Sequence, residues 1–555
     1  VEKSFSSRKL FVRQASGLVR DVSMTNALFF NIAAFVGTAV GWAVVFYSLG
    51  PEWQGFGVSA FAWMAVLTGI ACYFLGMIFA ALTTAMPRSG GDYVFTSRII
   101  SPFWGWLESW TLVGSALTII GFEIIVAIHN IQLTGILMGV AFPSSVFSNA
   151  PNWLQDNFSK AIAGVIVLLA ILGVSVLRTK TFHKVVTGLA IFAIVAVLIS
   201  FFGAFSIDSN AMNASLPALG TSAKAITTAA TKAGWSIGSP DFSFTGLIAL
   251  AGLVSIVLFQ FIGFQFSSYI AGEVKGNVKR TVFIAIICAL VFAVFMNSLY
   301  LDVLGTHFGF SLTNAWGYLY WNGNAATPLN GQPPFTPVMA TAVHPGAWPL
   351  WLIVAVGNIV MNVLLCPVYA IFLSRIVLAW ALDRQVPEWF SVVNERTNAP
   401  LRVIIIAVLV GAFFYLLTFF NLTLASTAFF GVLLAGLTWI MPGLNAILMP
   451  YRRPDLFQLT NTTGKFLRLP RLVWYGIIWL IFIVPVYLAA FVWPVVQSVL
   501  AFKSGGDFIS YANTSGVGWA ILLVIIGIGI YFVMKAVNNR QGIDTKMMFQ
   551  ELPPD

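Results

Sequence analysis

Met86-Pro87-Arg88-Ser89-Gly90-Gly91-Asp92-Tyr93-Val94-Phe95 lies between two long apolar runs, roughly residues 57–85 and 103–135. Proline lacks the amide hydrogen that a helix interior needs, glycines are poor helix formers, and Arg88 and Asp92 carry charge. A backbone that leaves the helix in hydrocarbon has nothing to satisfy its polar groups. The stretch therefore reads as a surface turn joining two membrane spans.

The rest of the chain supports that setting. Of 555 residues, 59% are hydrophobic and 9% charged, and the mean hydropathy is +0.89. A soluble protein of this size cannot hide that much apolar surface, so the chain reads as a polytopic membrane protein. A span needs about 20 apolar residues. Twelve such segments occur, near 24–48, 57–82, 103–135, 159–177, 185–206, 245–271, 281–304, 348–374, 402–420, 424–448, 473–501 and 517–537.

Charge placement tests the count, because Lys and Arg collect on cytoplasmic segments. With the N-terminus inside, the segments on that side hold 25 of the 29 basic residues, and only Lys160, Lys224, Lys232 and Lys503 fall outside them. A wrong count would scramble this alternation. Twelve spans with both termini cytoplasmic follow, in a multi-pass protein of the cell membrane. The net charge of +10 then reports membrane orientation rather than nucleic-acid binding, since the basic residues form no continuous patch.

Other classes are excluded by what is missing. No soluble domain of useful size and no nucleotide-binding loop occurs, which argues against ATP-driven transport by this chain. Of four histidines only His129 falls inside an expected span, too few for haem or copper ligation. Cys72, Cys288 and Cys366 all fall within spans, so no disulfide framework is implied. No secretory signal pattern is present. Two loops on the outer side are long, about 207–244 and 305–347. The second carries Trp316, Tyr318, Tyr320 and Trp321 without any charged residue, and reads either as a cover over the outer mouth or as a loose linker.

Three separated motifs carry a resemblance. The first is the opening stretch, extended from Phe79-Ala80-Ala81-Leu82 to Arg98. The second runs from Phe259-Gln260-Phe261-Ile262-Gly263-Phe264-Gln265 to Ala271-Gly272-Glu273-Val274-Lys275-Gly276-Asn277. The third joins Ser374-Arg375, Ala381-Leu382-Asp383-Arg384-Gln385-Val386-Pro387 and Asn394-Glu395-Arg396-Thr397-Asn398-Ala399-Pro400. In this order and on this side they resemble the amino acid–polyamine–organocation superfamily of transporters, the amino acid permeases among them.

The resemblance implies an all-α membrane fold of two inverted five-span repeats, discontinuous at spans one and six, with two further C-terminal helices. On that division residues 1–23 form a cytoplasmic segment and 24–206 the first repeat. Residues 207–244 form an outer loop, 245–448 the second repeat, 449–538 spans eleven and twelve with their loops, and 539–555 a cytoplasmic tail. Broken mid-membrane helices free amide N–H groups for a carboxylate and carbonyls for an ammonium or cation. The implied substrate positions are Ile32, Ala33, Ala34, Gly37 and Thr38 in span one, Ser115 in span three, Phe259, Ile262 and Gly263 in span six, and Tyr369 in span eight.

Departures from the family pattern bear on mechanism. Alanines stand where span one of the family has glycines, and Gln265 where many members have an acid. Span five has no Lys between Val185 and Phe205. Acids inside membranes are rare and usually functional. Glu108 and Glu123 lie in span three, and Asp302 near the outer end of span seven reads as interfacial and solvated. Glu123 is the coupling candidate. Asn358, Asn362, Cys366 and Tyr369 recur at four, four and three residues, so they share one face of span eight. Asn358 and Asn362 join Glu123 as candidates, with a proton favoured over Na+ as the coupling ion and no cofactor or metal. The expected function is secondary transport of an amino acid, with a neutral side chain favoured, or of a related amine. The other reading is a transporter-shaped receptor or structural subunit of a membrane complex.

Overall fold

The structure is a computed structural model that describes residues 17–35, 44, 48, 52–154, 156–417, 424–493, 496, 517–543, 549 and 551. Each of the twelve apolar segments carries helix, because hydrocarbon leaves a backbone no other partner than itself. The helices used below are α1 (Met24–Phe35), α2 (Ala60–Ala85), α3 (Asp92–Ile99), α4 (Pro102–Ala141), α5 (Asn157–Ser175) and α6 (Thr179–Ala204). They continue with α7 (Ala223–Lys232), α8 (Phe244–Phe261), α9 (Val278–Phe308), α10 (Phe310–Trp321) and α11 (Thr336–Val343). The last are α12 (Trp348–Leu382), α13 (Leu401–Leu417), α14 (Leu424–Arg452), α15 (Arg471–Tyr487) and α16 (Val517–Arg540). Eight of them, α2, α4, α5, α6, α8, α9, α12 and α16, are long and apolar enough among the described residues to cross a membrane.

Local chemistry sets several starts. Ser59, Ser101 and Ser243 each accept an N–H from the first turn of α2, α4 and α8, and Pro102 occupies the first position of α4, where no amide hydrogen is needed. The 40-residue α4 is the central post of the fold. It packs against α3, α5, α11, α12, α13, α14 and α16.

Contacts sort the connecting segments into two groups. On one face Val22 bridges Val274, the Gly90 N–H donates to the Tyr269 carbonyl at 3.0 Å, and the Thr179 N–H donates to the Thr397 carbonyl. Arg98 pairs with Asp383 at 2.6 Å, and Asn538 donates to the Arg384 carbonyl. On the other face the Gly238 N–H donates to the Glu52 carbonyl, Asn330 to Asn152, and the Tyr318 hydroxyl to the Ala233 carbonyl. The first group is the basic-rich set of segments, and its face is called the basic face below.

Three expectations change here. The opening stretch is a surface turn only in part: Pro87, Arg88 and Ser89 are half-buried, whereas Gly90, Gly91 and all eight residues of α3 are buried. Protein, not lipid, surrounds this loop, so irregular backbone is tolerated. The segment 305–347 is no loose linker either. It folds into α10 and α11, with Trp316, Leu319, Phe335 and Met339 buried and the Trp316 indole N–H donating to the Gln332 carbonyl at 2.8 Å. Asp302 is engaged rather than merely solvated, since its carboxylate accepts from the Ser59 N–H at 3.2 Å and the Ser59 hydroxyl at 2.6 Å. Residues 1–16, most of the expected cytoplasmic segment 1–23, fall outside the described residues.

Candidate functional site

The chain leaves helix geometry at the end of α8. Span six, expected over 245–271 with a break in it, keeps α-helix to Phe261, and residues 262–273 continue through turns and two short 3-10 segments while staying buried. Gly263 has φ +108, a left-handed value that side chains other than hydrogen disfavour. Asn31 of α1 holds the stretch from the other side. Its Oδ1 accepts the Ser267 N–H at 2.6 Å, and its Nδ2 donates to the Ser267 hydroxyl at 3.1 Å. The amide therefore stands in for the helical carbonyl that Ser267 forgoes.

Spans one and six meet at this point. A Cβ on Gly263 would lie 2.4 Å from the Ala34 Cβ, so the two backbones touch. Ile32, Ala33, Ala34 and Ile262 are all buried there. Gly37 and Thr38 lie outside the described residues. Phe259 is half-buried and meets Phe122 of α4 edge-on, with ring centres 6.2 Å apart. Tyr369 of α12 reaches the same stretch through Phe266, at 5.1 Å. Ser115 is buried on α4, eight residues before Glu123 on the side of the basic face.

The coupling candidates also converge. Asn362 of α12 donates to Glu123 Oε2 at 2.5 Å, and its Oδ1 accepts from Asn130 Nδ2 at 2.8 Å. The Cys366 thiol, one turn along, points to the Ile120 carbonyl. Asn358, Asn362, Cys366 and Tyr369 are all buried, as a polar face in lipid requires. Glu123 lies within electrostatic reach of Tyr369. Predicted positions on spans one, three, six and eight thus form one connected neighbourhood.

Sequence reasoning missed Asn31 and Asn130. Asn130 sits seven residues after Glu123, on the same face of α4, and that spacing was legible. Asn31 stands directly before Ile32, an amide within an apolar run. His183 was misplaced as well: α6 begins at Thr179, so this imidazole lies inside the helix, buried against Phe30 and Phe182 at 5.8 and 5.3 Å. Glu108 is buried at the basic end of α4 near Asp92, whose carboxylate accepts from the Tyr269 hydroxyl. Among the described residues no group of three or more His, Cys, Asp or Glu side chains could hold a metal ion.

Comparison with known proteins decides the family. A family model described as amino acid permease matches residues 28–522. The chain belongs to the amino acid permease family. It is accordingly a multi-pass membrane protein of the amino acid–polyamine–organocation superfamily. The permease is 25% identical over 400 residues to an aspartate-proton symporter of Bacillus subtilis, covering 69% of this chain and 64% of that one. It is 27% identical over 168 residues to a serine/threonine exchanger of the same organism, covering 30% and 33%. An uncharacterised transporter of Mycobacterium bovis is 21% identical over 391 residues, covering 69% of the permease and 71% of that protein. The permease thus spans just under two thirds of the symporter and a third of the exchanger. In this chain the three motifs read from the sequence are segments that meet on the basic face.

Proposed function

We propose that this permease is a secondary active transporter that moves an amino acid across the cell membrane by alternating access, with Glu123 carrying the coupling proton. Its basic face is cytoplasmic, its twelve spans form two inverted five-span repeats with two added helices, and the substrate binds where spans one and six are broken. The observation that carries the reading is the contact between Ala34 and the positive-φ Gly263, beside the Glu123–Asn362 pair. A broken helix pair offers N–H groups to a carboxylate and carbonyls to an ammonium, the two ends common to all amino acids. A side chain without net charge is favoured, because no Asp, Glu, Lys or Arg occurs in residues 24–48 or 245–271.

Glu123 supports the coupling part of the reading. It is a buried acid on α4, one residue from the Phe122–Phe259 contact and bonded across to α12. Intramembrane acids of this kind commonly move protons. The relative named for aspartate and proton symport is in keeping with proton drive, and aspartate belongs in the substrate panel.

The test is uptake by proteoliposomes across the twenty amino acids, with and without an imposed proton gradient. Saturable uptake of at least one neutral amino acid, accelerated by an inward proton gradient, is expected. Glu123→Gln should retain binding and lose that acceleration. No saturable uptake of any amino acid under either condition would refute transport, and an unchanged pH profile in Glu123→Gln would remove that residue from the mechanism.

A further inference from the structure

Glu123, Asn362 and Asn130 form a buried hydrogen-bonded chain that leaves α4, crosses to α12, and returns to α4 seven residues further on. All three side chains are sealed from solvent. The chain has a direction. Asn130 Nδ2 donates to Asn362 Oδ1 at 2.8 Å, and Asn362 Nδ2 donates to Glu123 Oε2 at 2.5 Å. An amide has one end that only donates and one that only accepts, whereas a carboxylate only accepts and a carboxylic acid can also donate.

We propose that the Asn130–Asn362 amide pair is a positioning device that converts proton uptake by Glu123 into a reversal of this chain. The inference rests on the reading of Glu123 as the coupling acid. As drawn, the chain suits the carboxylate. Glu123 Oε1 is buried without a hydrogen-bond partner among the described residues, so a proton placed there becomes a buried donor in need of an acceptor. It gains one if the acid turns toward Asn362 and that amide presents its oxygen. The Asn362 NH2 then faces Asn130, which must present its own oxygen in turn. Leaving either buried group wrongly paired costs about 1–3 kcal/mol, so the two amides turn together. The proton is thereby felt at Asn130, the residue after His129, whose Nε2 sits 2.5 Å from Gln332 Oε1 in the segment between α10 and α11. Nothing leaves or enters the chain except the one proton on Glu123.

The titratable groups that face Glu123 are Cys366 and Tyr369 of α12. Glu108, on the same helix, is fifteen residues away toward the basic face, where α3 brings Asp92 and Arg98. Asn362 is the side chain hydrogen-bonded to Glu123 among the described residues. The amide pair is therefore a hydrogen-bonded route by which its charge state reaches α12.

The experiment is pH-difference infrared spectroscopy of the purified full-length protein in liposomes, which needs no substrate. The carboxylic C=O band of Glu123 is identified as the band missing from Glu123→Gln. Asn130→Ala and the more conservative Asn130→Ser are then titrated, so that a folding defect in one leaves the other to decide. The midpoint of the Glu123 band should move by about half a pH unit or more in these variants, the scale set by loss of a hydrogen bond worth about 1 kcal/mol. An unmoved midpoint in every folded Asn130 variant overturns the amide-pair inference and leaves Glu123 as coupling acid intact. A wild-type protein in which no such band titrates between about pH 4 and 9 overturns both.

Discussion

Gly263→Ala tests the contact on which the site reading depends. Two separate penalties can be worked from the geometry. The residue sits at φ +108, and holding a non-glycine residue in so sparsely populated a region costs about 1–3 kcal/mol. The added methyl would also lie 2.4 Å from the Ala34 Cβ and 3.1 Å from the Ala34 carbonyl carbon, well inside the ~3.5–4.0 Å at which carbon atoms attract. Overpacking of that kind adds about 1–3 kcal/mol. The substitution should therefore destabilise the protein by about 2–6 kcal/mol and abolish uptake at temperatures where it stays folded. Ala34→Gly removes the 2.4 Å contact and leaves the backbone strain and the approach to the Ala34 carbonyl carbon, so the two changes must couple. Thermal unfolding in detergent of the wild type, both single variants and the double closes the cycle. The double variant should be less destabilised than the sum of the singles by about 1–3 kcal/mol, the overpacking share alone. Coupling below about 0.5 kcal/mol, or a Gly263→Ala protein as stable as wild type, would refute the contact between α1 and the irregular stretch after α8.

Two further outcomes follow from charge. Arg375 and Glu273 pair at 2.7 and 2.8 Å with both side chains fully buried, so Arg375→Met alone should lose about 3–5 kcal/mol by stranding a charge. Arg375→Met with Glu273→Leu should be more stable than either single variant in the same unfolding assay; a double variant worse than both would deny that stranded charge is the cause. On the opposite face, burial pushes the Glu52 carboxyl up to about 8, partly offset by the neighbouring Trp235 indole. The folded form thus prefers neutral Glu52, and the resulting stability is complete below the ordinary glutamate range and lost as pH rises through about 8. Hydrogen exchange at residues 235–238, corrected for intrinsic rate, should show weaker protection at alkaline pH, and Glu52→Gln should flatten that dependence.

The apolar helices were legible because hydropathy records the bilayer, a partner that every apolar segment shares. What escaped was structure imposed by one protein segment on another. Gly263 announced a break, but nothing in Phe264-Gln265-Phe266-Ser267-Ser268 announces that the backbone stays unwound for so long. The cause lies 236 residues away, in the Asn31 amide bonded to Ser267. Asn130 could have been found, since it lies seven residues from Glu123 along one helix; His183 could not, because the start of α6 depends on Thr179 docking against Thr397. The candidate site was therefore readable where one helix carries the pattern, and opaque where two distant segments share it.

The opening stretch shows what its glycines do. A Cβ on Gly90 would lie 2.7 Å from that of Ala379 of α12, and one on Gly91 would lie 2.3 Å from the Tyr269 ring. The loop threads a gap between the third motif's helix and the second motif's turn, too narrow for any side chain. The ion pairs run between the same partners, Arg98 to Asp383 and Glu273 to Arg375. Three motifs far apart in sequence are thus one packed assembly that closes the basic face with charge. In the proposed cycle that face must open to the cytoplasm. A seal of hydrocarbon would resist opening by about 25 cal/mol for every Å² exposed. A buried ion pair differs, because water entering the gap hydrates both charges and returns much of the Coulomb energy lost when they part. Charge fixes which segments meet, and still lets them separate at low net cost.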